Sequence, residues 1–547
     1  MHTKLLSQLI TATLCLVLFA PSVAAAQPEP GEETIGAALT LGLPAPDMSP
    51  PRGKESTGPF ERLVISNVTI IDGTGAPPQG PVNIVIEQDR IVNISPAHGI
   101  GASQPPQDAE VIDATGKYAT PGLIDTHVHL GSPYHALSGS FTHAEYVNKL
   151  WLAHGITTVR DVGALLGLDW TLTHKQKSND DEISAPRFFV YALFPTQHSS
   201  AQAARQWVRA VKRKGADGIK FLGAAPELVA AAIDEAKKLE MGTAQHHAQL
   251  SVTRLNVLDT ARLGLDSMEH WYGLPEAMFD DRIVQDYPHD YNYNNEQDRF
   301  REAGKLWQQA AARGTKKWED SIEELISLDF TIVPTFTIYE ANRDLMREQR
   351  AVWHDEYTMP YITRSFKADP HTHGSYFFNW TTADEISWKE NFRRWMDFIN
   401  DYKNRGGRVT TGSDSGFIWK IYGFGYVREL ELLQEAGFHP LEVLQSATLN
   451  GAELLGMDDE IGTLQIGKKA DIVIVNENPL QNFKVLYGTG HRMLNTESGE
   501  MQTSKGIEYT IKNGVVFDTK QLLTDVRNMV SKQKALEASG APQTLKH

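Results

Sequence analysis

The chain has 547 residues, 41% of them hydrophobic and 22% charged, a globular composition with ample apolar material for a large core, which excludes a disordered or fibrous protein. A formal net charge of -16 without any cluster of Lys and Arg excludes a broad phosphate-binding surface, so nucleic acid is not an expected partner. The acidity reads as a solvated surface that keeps the protein soluble.

In chain order, residues 1–26 read as a secretory signal peptide: Lys4, an apolar stretch from Leu9 to Ala20, Pro21, and the small residues Val23-Ala24-Ala25-Ala26, with cleavage expected after Ala26. The apolar run is shorter than the ~20 residues a bilayer span needs, so no stable membrane anchor is expected and the address is secreted or periplasmic. The single cysteine, Cys15, lies inside this run and would leave with it. No disulfide framework or thiolate site then remains, and any metal must be held by imidazole and oxygen ligands.

Residues 27–58, rich in Pro, Gly and Glu, read as an extended leader. Short β-rich runs follow at Leu63-Val64-Ile65, Val68 to Ile71, Val82 to Ile86 and Arg90 to Ile94, and a matching set recurs at Ala470 to Val475 and Tyr509 to Val516. Pairing the two sets predicts a small β-sandwich domain from residues 59–120 and 460–520, with a helical tail over 521–547.

Between them, strands predicted at Leu123 to His129, Thr157 to Asp161, Phe188 to Leu193, Gly218 to Leu222, Gly242 to His246, Ser267 to His270, Thr331 to Pro334 and Val409 to Asp414 alternate with helical patterns. Eight such strands over residues 121–459 predict an α/β fold, a (β/α)₈ TIM-like barrel with its active site at the C-terminal strand ends. Two insertions, about 271–328 and 338–405, follow late strands and are expected as lids over the barrel mouth.

The most informative stretch is Pro121 to His129. Strand side chains alternate faces, so His127 and His129 point the same way, at a spacing where both imidazoles can reach one cation. His371-Thr372-His373 repeats the spacing with no apolar strand before it and reads as a loop feature. Asn67 to Gly75, Pro121 to His129, Gly155 to Asp161, Gly215 to Lys220, Gly264 to His270 and Thr411 to Asp414 fall in the order of one family's landmarks. So does the run from Pro440 through Asn450-Gly451-Ala452 and Gly462-Thr463-Leu464 to Asp471.

On these motifs the chain resembles the amidohydrolase superfamily over most of its length, and within it the imidazolonepropionase-like and prolidase-like branch that includes Xaa-Pro dipeptidases. The resemblance implies metal ligands at His127, His129, Lys220, His246, His270 and Asp414. It implies two divalent metal ions, zinc by expectation, with a carboxylated Lys220 as bridging ligand, and Asp414 as the catalytic proton acceptor.

Read as bare residues, Lys220 also suits a barrel ion pair and Asp414 a helix N-cap. His246 and His247 must face opposite sides of a strand, so only one is a ligand. Counting from Lys237-Lys238-Leu239 favours His246, while His247-Ala248 also fits the motif. His247, Trp271, Tyr272, Phe336 and Tyr339 are candidate substrate-binding residues, and Arg160, Asp161 and Glu429 are expected to be structural, the first two at the barrel rim.

The function expected is a secreted metal-dependent hydrolase that cleaves an amide or dipeptide C–N bond in a small-molecule substrate. The same metal platform also serves lactones, esters and cyclic amides, and a non-catalytic metal-containing binding protein is the reading from another class. A homo-oligomer is compatible with the sequence.

Overall fold

The computed structural model describes residues 46–102, 106–368, 374 and 377–539. The expected signal peptide, the leader up to residue 45, His371 and His373, and the end of the C-terminal tail lie outside the described residues.

Eight parallel strands form the central sheet in sequence order: β1 (Leu123–Val128), β2 (Ile156–Gly163), β3 (Arg187–Leu193), β4 (Gly218–Phe221), β5 (Gly242–His246), β6 (Ser267–Glu269), β7 (Thr331–Val333) and β8 (Arg408–Val409). The seam between β8 and β1 carries its own bonds. Thr126 N–H donates to Thr411 O (2.9 Å) and Asp414 N–H to His127 O (2.8 Å), so the sheet curls onto itself as the TIM-like barrel expected from the sequence. Most of its strand residues are buried on both faces, as a parallel sheet lined by helices requires.

The two termini share one continuous nine-stranded sheet beside the barrel. Tyr118–Pro121 pairs antiparallel with Ile472–Val475 on one side and parallel with Arg62–Ile70 on the other, which joins early and late strands into a single ladder. All four residues of Ile472–Val475 are buried, and the core they join alternates with period two: Val473 and Val475 belong to the barrel-side core, Ile472 and Ile474 to the sheet's own core with Leu63, Ile84, Ile91 and Ile511. The sheet therefore encloses a core of its own. Its far ends meet at Gly514 (φ +75°), where a Cβ would lie 2.0 Å from Gln88 O in the turn between Gln79–Glu87 and Arg90–Pro96. The expected sandwich is thus one folded-over sheet rather than two separate ones.

Only Gly122 separates the terminal sheet from β1, and a Cβ there would fall 2.1 Å from Thr157 Oγ1. The first barrel strand is thereby held flush against β2. From Pro46 the leader is stitched to the barrel: Trp170 Nε1 donates to Pro46 O (3.3 Å), Asn148 Nδ2 to Ser49 Oγ (2.9 Å), and Pro51 bridges Ile183.

The two insertions are only partly lid. Lys316–Ser327 lies directly before β7 and Thr382–Asn404 before β8, so both take the places of barrel helices. The second opens with a reciprocal cap in which Thr381 Oγ1 accepts from Asp384 N–H and the Asp384 carboxylate accepts from Thr381 N–H. Among the described residues no helix is long and apolar enough to cross a membrane.

Candidate metal centre

Every candidate ligand stands at the C-terminal end of a barrel strand. His127 comes from β1 and His129 from the residue after it, Lys220 from β4, His246 from β5, His270 from the residue after β6 and Asp414 from the loop after β8. Three imidazoles turn toward one carboxylate: His129 Nε2 lies 3.4 Å and His127 Nε2 3.7 Å from Asp414 Oδ1, and His270 Nε2 lies 3.9 Å from Asp414 Oδ2. Ligating atoms of His127, His270 and Asp414 lie within 4.8 Å of one another. The His246 ring centroid is 4.7 Å from that of His270, which is in turn 4.8 Å from that of His127.

His247 leaves this cluster. It faces the other side of β5, where its Nε2 lies 2.9 Å from Thr260 Oγ1. The alternation of strand faces allows nothing else once His246 points inward.

The backbone is strained where the ligands sit. His270 (φ 67°), Thr335 (φ 51°) and Asp414 (φ 46°) all adopt left-handed conformations just past β6, β7 and β8. Each costs about 1–3 kcal/mol and persists only where surrounding bonds dictate it. Those bonds are present: His270 N–H donates to Val333 O (2.9 Å), and Thr335 Oγ1 lies 2.5 Å from His270 Nδ1. Buried Asp125 accepts from the N–H (2.9 Å) and Oγ (2.6 Å) of Ser413, which fixes the chain immediately before Asp414.

A second layer beneath the ligands was not singled out from the sequence. Glu269, fully buried, lies 2.5 Å from His127 Nδ1 and accepts from Arg160 Nη2 at 2.8 Å. Arg160 also donates to Thr126 O (2.6 Å) and Ser267 Oγ (3.0 Å), and its guanidinium lies over the Tyr191 ring. Arg160 is thus an interior residue, not the rim residue expected. With Nδ1–H donated to Glu269, His127 presents a bare Nε2 to the site, the tautomer a metal ligand needs. Nothing local in the sequence marks Glu269, an ordinary acid inside a short strand. Only the barrel's closure brings it under His127. Asp161 accepts the N–H groups of Leu130 and Ala164 (3.0 Å each), and Glu429 those of Phe336 and Thr337 (3.0 and 2.7 Å), so both fasten loops.

Electrostatics favour a cation. Burial, then the nearby Lys220 charge, pushes His129 down to about 3 and His127 well below its usual range; burial and the His246 charge do the same for His270. All three imidazoles are neutral donors at pH 7. Burial lifts Asp414 to about 8 and lowers Lys220. Two sealed polar atoms, Lys220 Nζ and His129 Nδ1, have no hydrogen-bond partner. A donor set of neutral imidazoles, one carboxylate and an orphaned lysine nitrogen fits the divalent metals implied for the site.

A pH dependence follows. Below about pH 8 the Asp414 carboxyl carries a proton that a cation must displace, whereas the histidines carry none. Apparent metal affinity should fall about tenfold per pH unit as pH drops from 8 toward 6. Calorimetric titration with Zn²⁺ in buffers of different ionisation enthalpy should record at least one proton released per chain at pH 7.

Of the expected pocket aromatics, Tyr272 and Tyr339 lie against the site, their ring centroids 5.5 Å from His246 and His270 respectively. Trp271 and Phe336 do not line it. Both are fully buried and pack on Trp395 of helix Thr382–Asn404. Packing is equally tight behind the ligands: a Cβ on Gly412 would lie 2.7 Å from His127 Cβ and 2.5 Å from Val333 Cγ1. Gly412→Ala should therefore cost about 1–3 kcal/mol in denaturant unfolding and lower metal content, by displacing His127.

Comparison with known proteins agrees with this architecture. Residues 391–516 match the family model described as Amidohydrolase family. Imidazolonepropionase of Brevibacillus brevis is 33% identical over 70 residues, 13% of this chain and 16% of that protein. Among solved structures, a Xaa-Pro dipeptidase with bound methionine in its active site aligns with a TM-score of 0.55 at 19% identity, over 84% of this chain and 100% of that one. A bottromycin amidohydrolase aligns at 0.59 and 17%, over 90% and 94%. The chain spans between 8% and 35% of the length of the curated relatives it matches.

Proposed function

We propose that this chain, which carries an amidohydrolase family domain, is a metal-dependent hydrolase that cleaves a C–N bond of a small amide or dipeptide. The observation that carries the reading is the convergence of three neutral imidazoles on the Asp414 carboxylate at the C-terminal end of the barrel. His127, His129, His246, His270, Asp414 and Lys220, the last as a carbamate, would hold two divalent ions. Bound there, the metals would supply Lewis acidity, lowering the pKa of water and activating a carbonyl toward attack.

The chain's own residues do the rest. Asp414, bonded to nothing but the site, takes the proton from the attacking water and returns it to the departing nitrogen. Glu269 keeps His127 in one tautomer and Thr335 orients His270. Tyr272 and Tyr339 wall the site on the β5–β6 side.

Asp414→Asn tests this directly. Turnover of N-acyl amino acids and dipeptides should fall by about 10²–10⁴-fold. Near-full turnover in the variant with its metal bound would overturn the role. Export is part of the same proposal, resting on residues 1–26, and is checked by finding the mature N-terminus at Gln27 in the periplasmic or extracellular fraction.

A further inference from the structure

Buried cations in this protein have carboxylate partners. Arg160 has Glu269, Arg187 has Asp471, Lys512 has Asp181, and Lys420 and Arg428 share Glu340. The pairing is expected, since an unpaired charge away from water is costly. Among the described residues, Lys220 in the metal centre departs from it, Lys468 spends its ammonium on the main-chain oxygens of Asp458 and Ile461 and on Thr463 Oγ1, and one further largely buried cation departs with less. Arg299, on the helix Glu296–Ala303 of the first insertion, has no carboxylate within ion-pair distance among the described residues, and its Nε is sealed from solvent without a hydrogen-bond partner. Glu296 on the same helix favours the Arg299 charge from beyond ion-pair distance and accepts from Gly374 N–H (3.0 Å).

What surrounds this guanidinium is aromatic. Its Cζ lies 4.5 Å from the Phe300 ring centroid and 5.2 Å from that of Tyr293. Burial opposes its charge, which Tyr293 and Glu296 favour first and then Tyr272 and Tyr339, the two tyrosines whose rings stand against His246 and His270. The helix is tied to the β5 end: Gln249, three residues past His246, donates through Nε2 to Arg299 O (3.4 Å) and to Tyr287 Oη (3.5 Å). From the other side Trp388 Nε1 donates to Phe300 O (2.9 Å). Arg299 is thus held on a helix tied to the β5 end, with its Nε donor unspent. A planar fork of donors in an apolar setting binds a carboxylate far better than a neutral group.

We infer that Arg299 is the anchor for a free carboxylate on the substrate, so that the preferred substrates are N-acyl amino acids or dipeptides with an ionised C-terminus. This rests on the C–N hydrolase reading above. The cation–π stack on Phe300 and Tyr293 fixes the guanidinium plane, and the substrate's scissile amide reaches the histidines past Tyr272.

The test uses the metal-loaded enzyme and a panel of N-acyl amino acids and dipeptides, each paired with its C-terminal carboxamide. Wild type should prefer the acids by about 10–100-fold in kcat/KM, the range of a charge-assisted hydrogen bond. Arg299→Gln should bring the acid-to-amide ratio close to one with the amides unmoved, and Arg299→Lys should keep part of the preference. A wild-type ratio near one overturns the inference without any variant, and so does an unchanged ratio in Arg299→Gln. Should wild type cleave no member of the panel, the hydrolase reading fails separately. Calorimetric binding of the same acids and amides then decides the anchor: acid-selective binding lost in Arg299→Gln supports it, and equal binding of acids and amides overturns it.

Discussion

Replacing Lys220 by methionine is expected to make the metal-free protein more stable and, at the same time, unable to hold its full metal complement. The two effects share one cause. Lys220 Nζ is sealed inside the barrel with no hydrogen-bond partner, so the empty site bears the cost of an unsatisfied polar group. Removing that cost should raise the unfolding free energy of the chelated protein by about 1–3 kcal/mol in denaturant titration. If Lys220 becomes a carbamate bridge, metal per chain should drop from two ions to one or none, and in wild type uptake should depend on added bicarbonate. Undiminished metal content in Lys220→Met would remove the lysine from the site. A loss of metal-free stability would instead show that the side chain is a structural prop.

Glu269→Ala should produce the largest loss of stability of any single substitution near the centre. Among the described residues Glu269 is the one carboxylate paired with Arg160, and both are fully buried. Breaking a buried pair from one side leaves an uncompensated charge, at a cost of about 3–5 kcal/mol. The same substitution frees His127 Nδ1, so metal affinity should fall by about 10–100-fold in competition with a chelator. Glu269→Gln keeps the shape and separates the effects: Oε1 can still accept from Arg160, but no anionic partner remains to hold the His127 tautomer. Equal stability of the alanine variant and wild type would mean that Arg160 finds another partner.

The barrel was legible because its signals are local. β5 ends where the alternation predicts, at His246, and His127 and His129 share a face for the same reason. The end of β8 was less so. Ladder pairing stops at Val409: Thr410 N–H still bonds Ile332 O of β7, and beyond it the chain spends its bonds on Ser446 and Asp125. Those two partners come from distant parts of the sequence. The helices Lys316–Ser327 and Thr382–Asn404 read as lid because nothing in their composition separates a barrel helix from an insertion. The left-handed turns at His270, Thr335 and Asp414 leave no trace in the sequence, since none of the three is glycine. Glu269 and Arg299 were missed for one reason: an acid and an arginine are informative only once their partners, or their lack of partners, are known.

The sheet that draws on both halves of the chain sets a timetable for biosynthesis. Arg62–Ile70 and Tyr118–Pro121 are made early, yet the strand that flanks Tyr118–Pro121, Ile472–Val475, is made only after the entire barrel. At about 5–20 residues per second, the early strands wait on the order of tens of seconds with an unpaired, apolar edge. Through that interval the nascent protein is a template for wrong pairing, and a chaperone that masks strand edges has its substrate here. The strands Ile472–Val475 and Ile507–Lys512, late on the ribosome, are what retire the hazard created by the first.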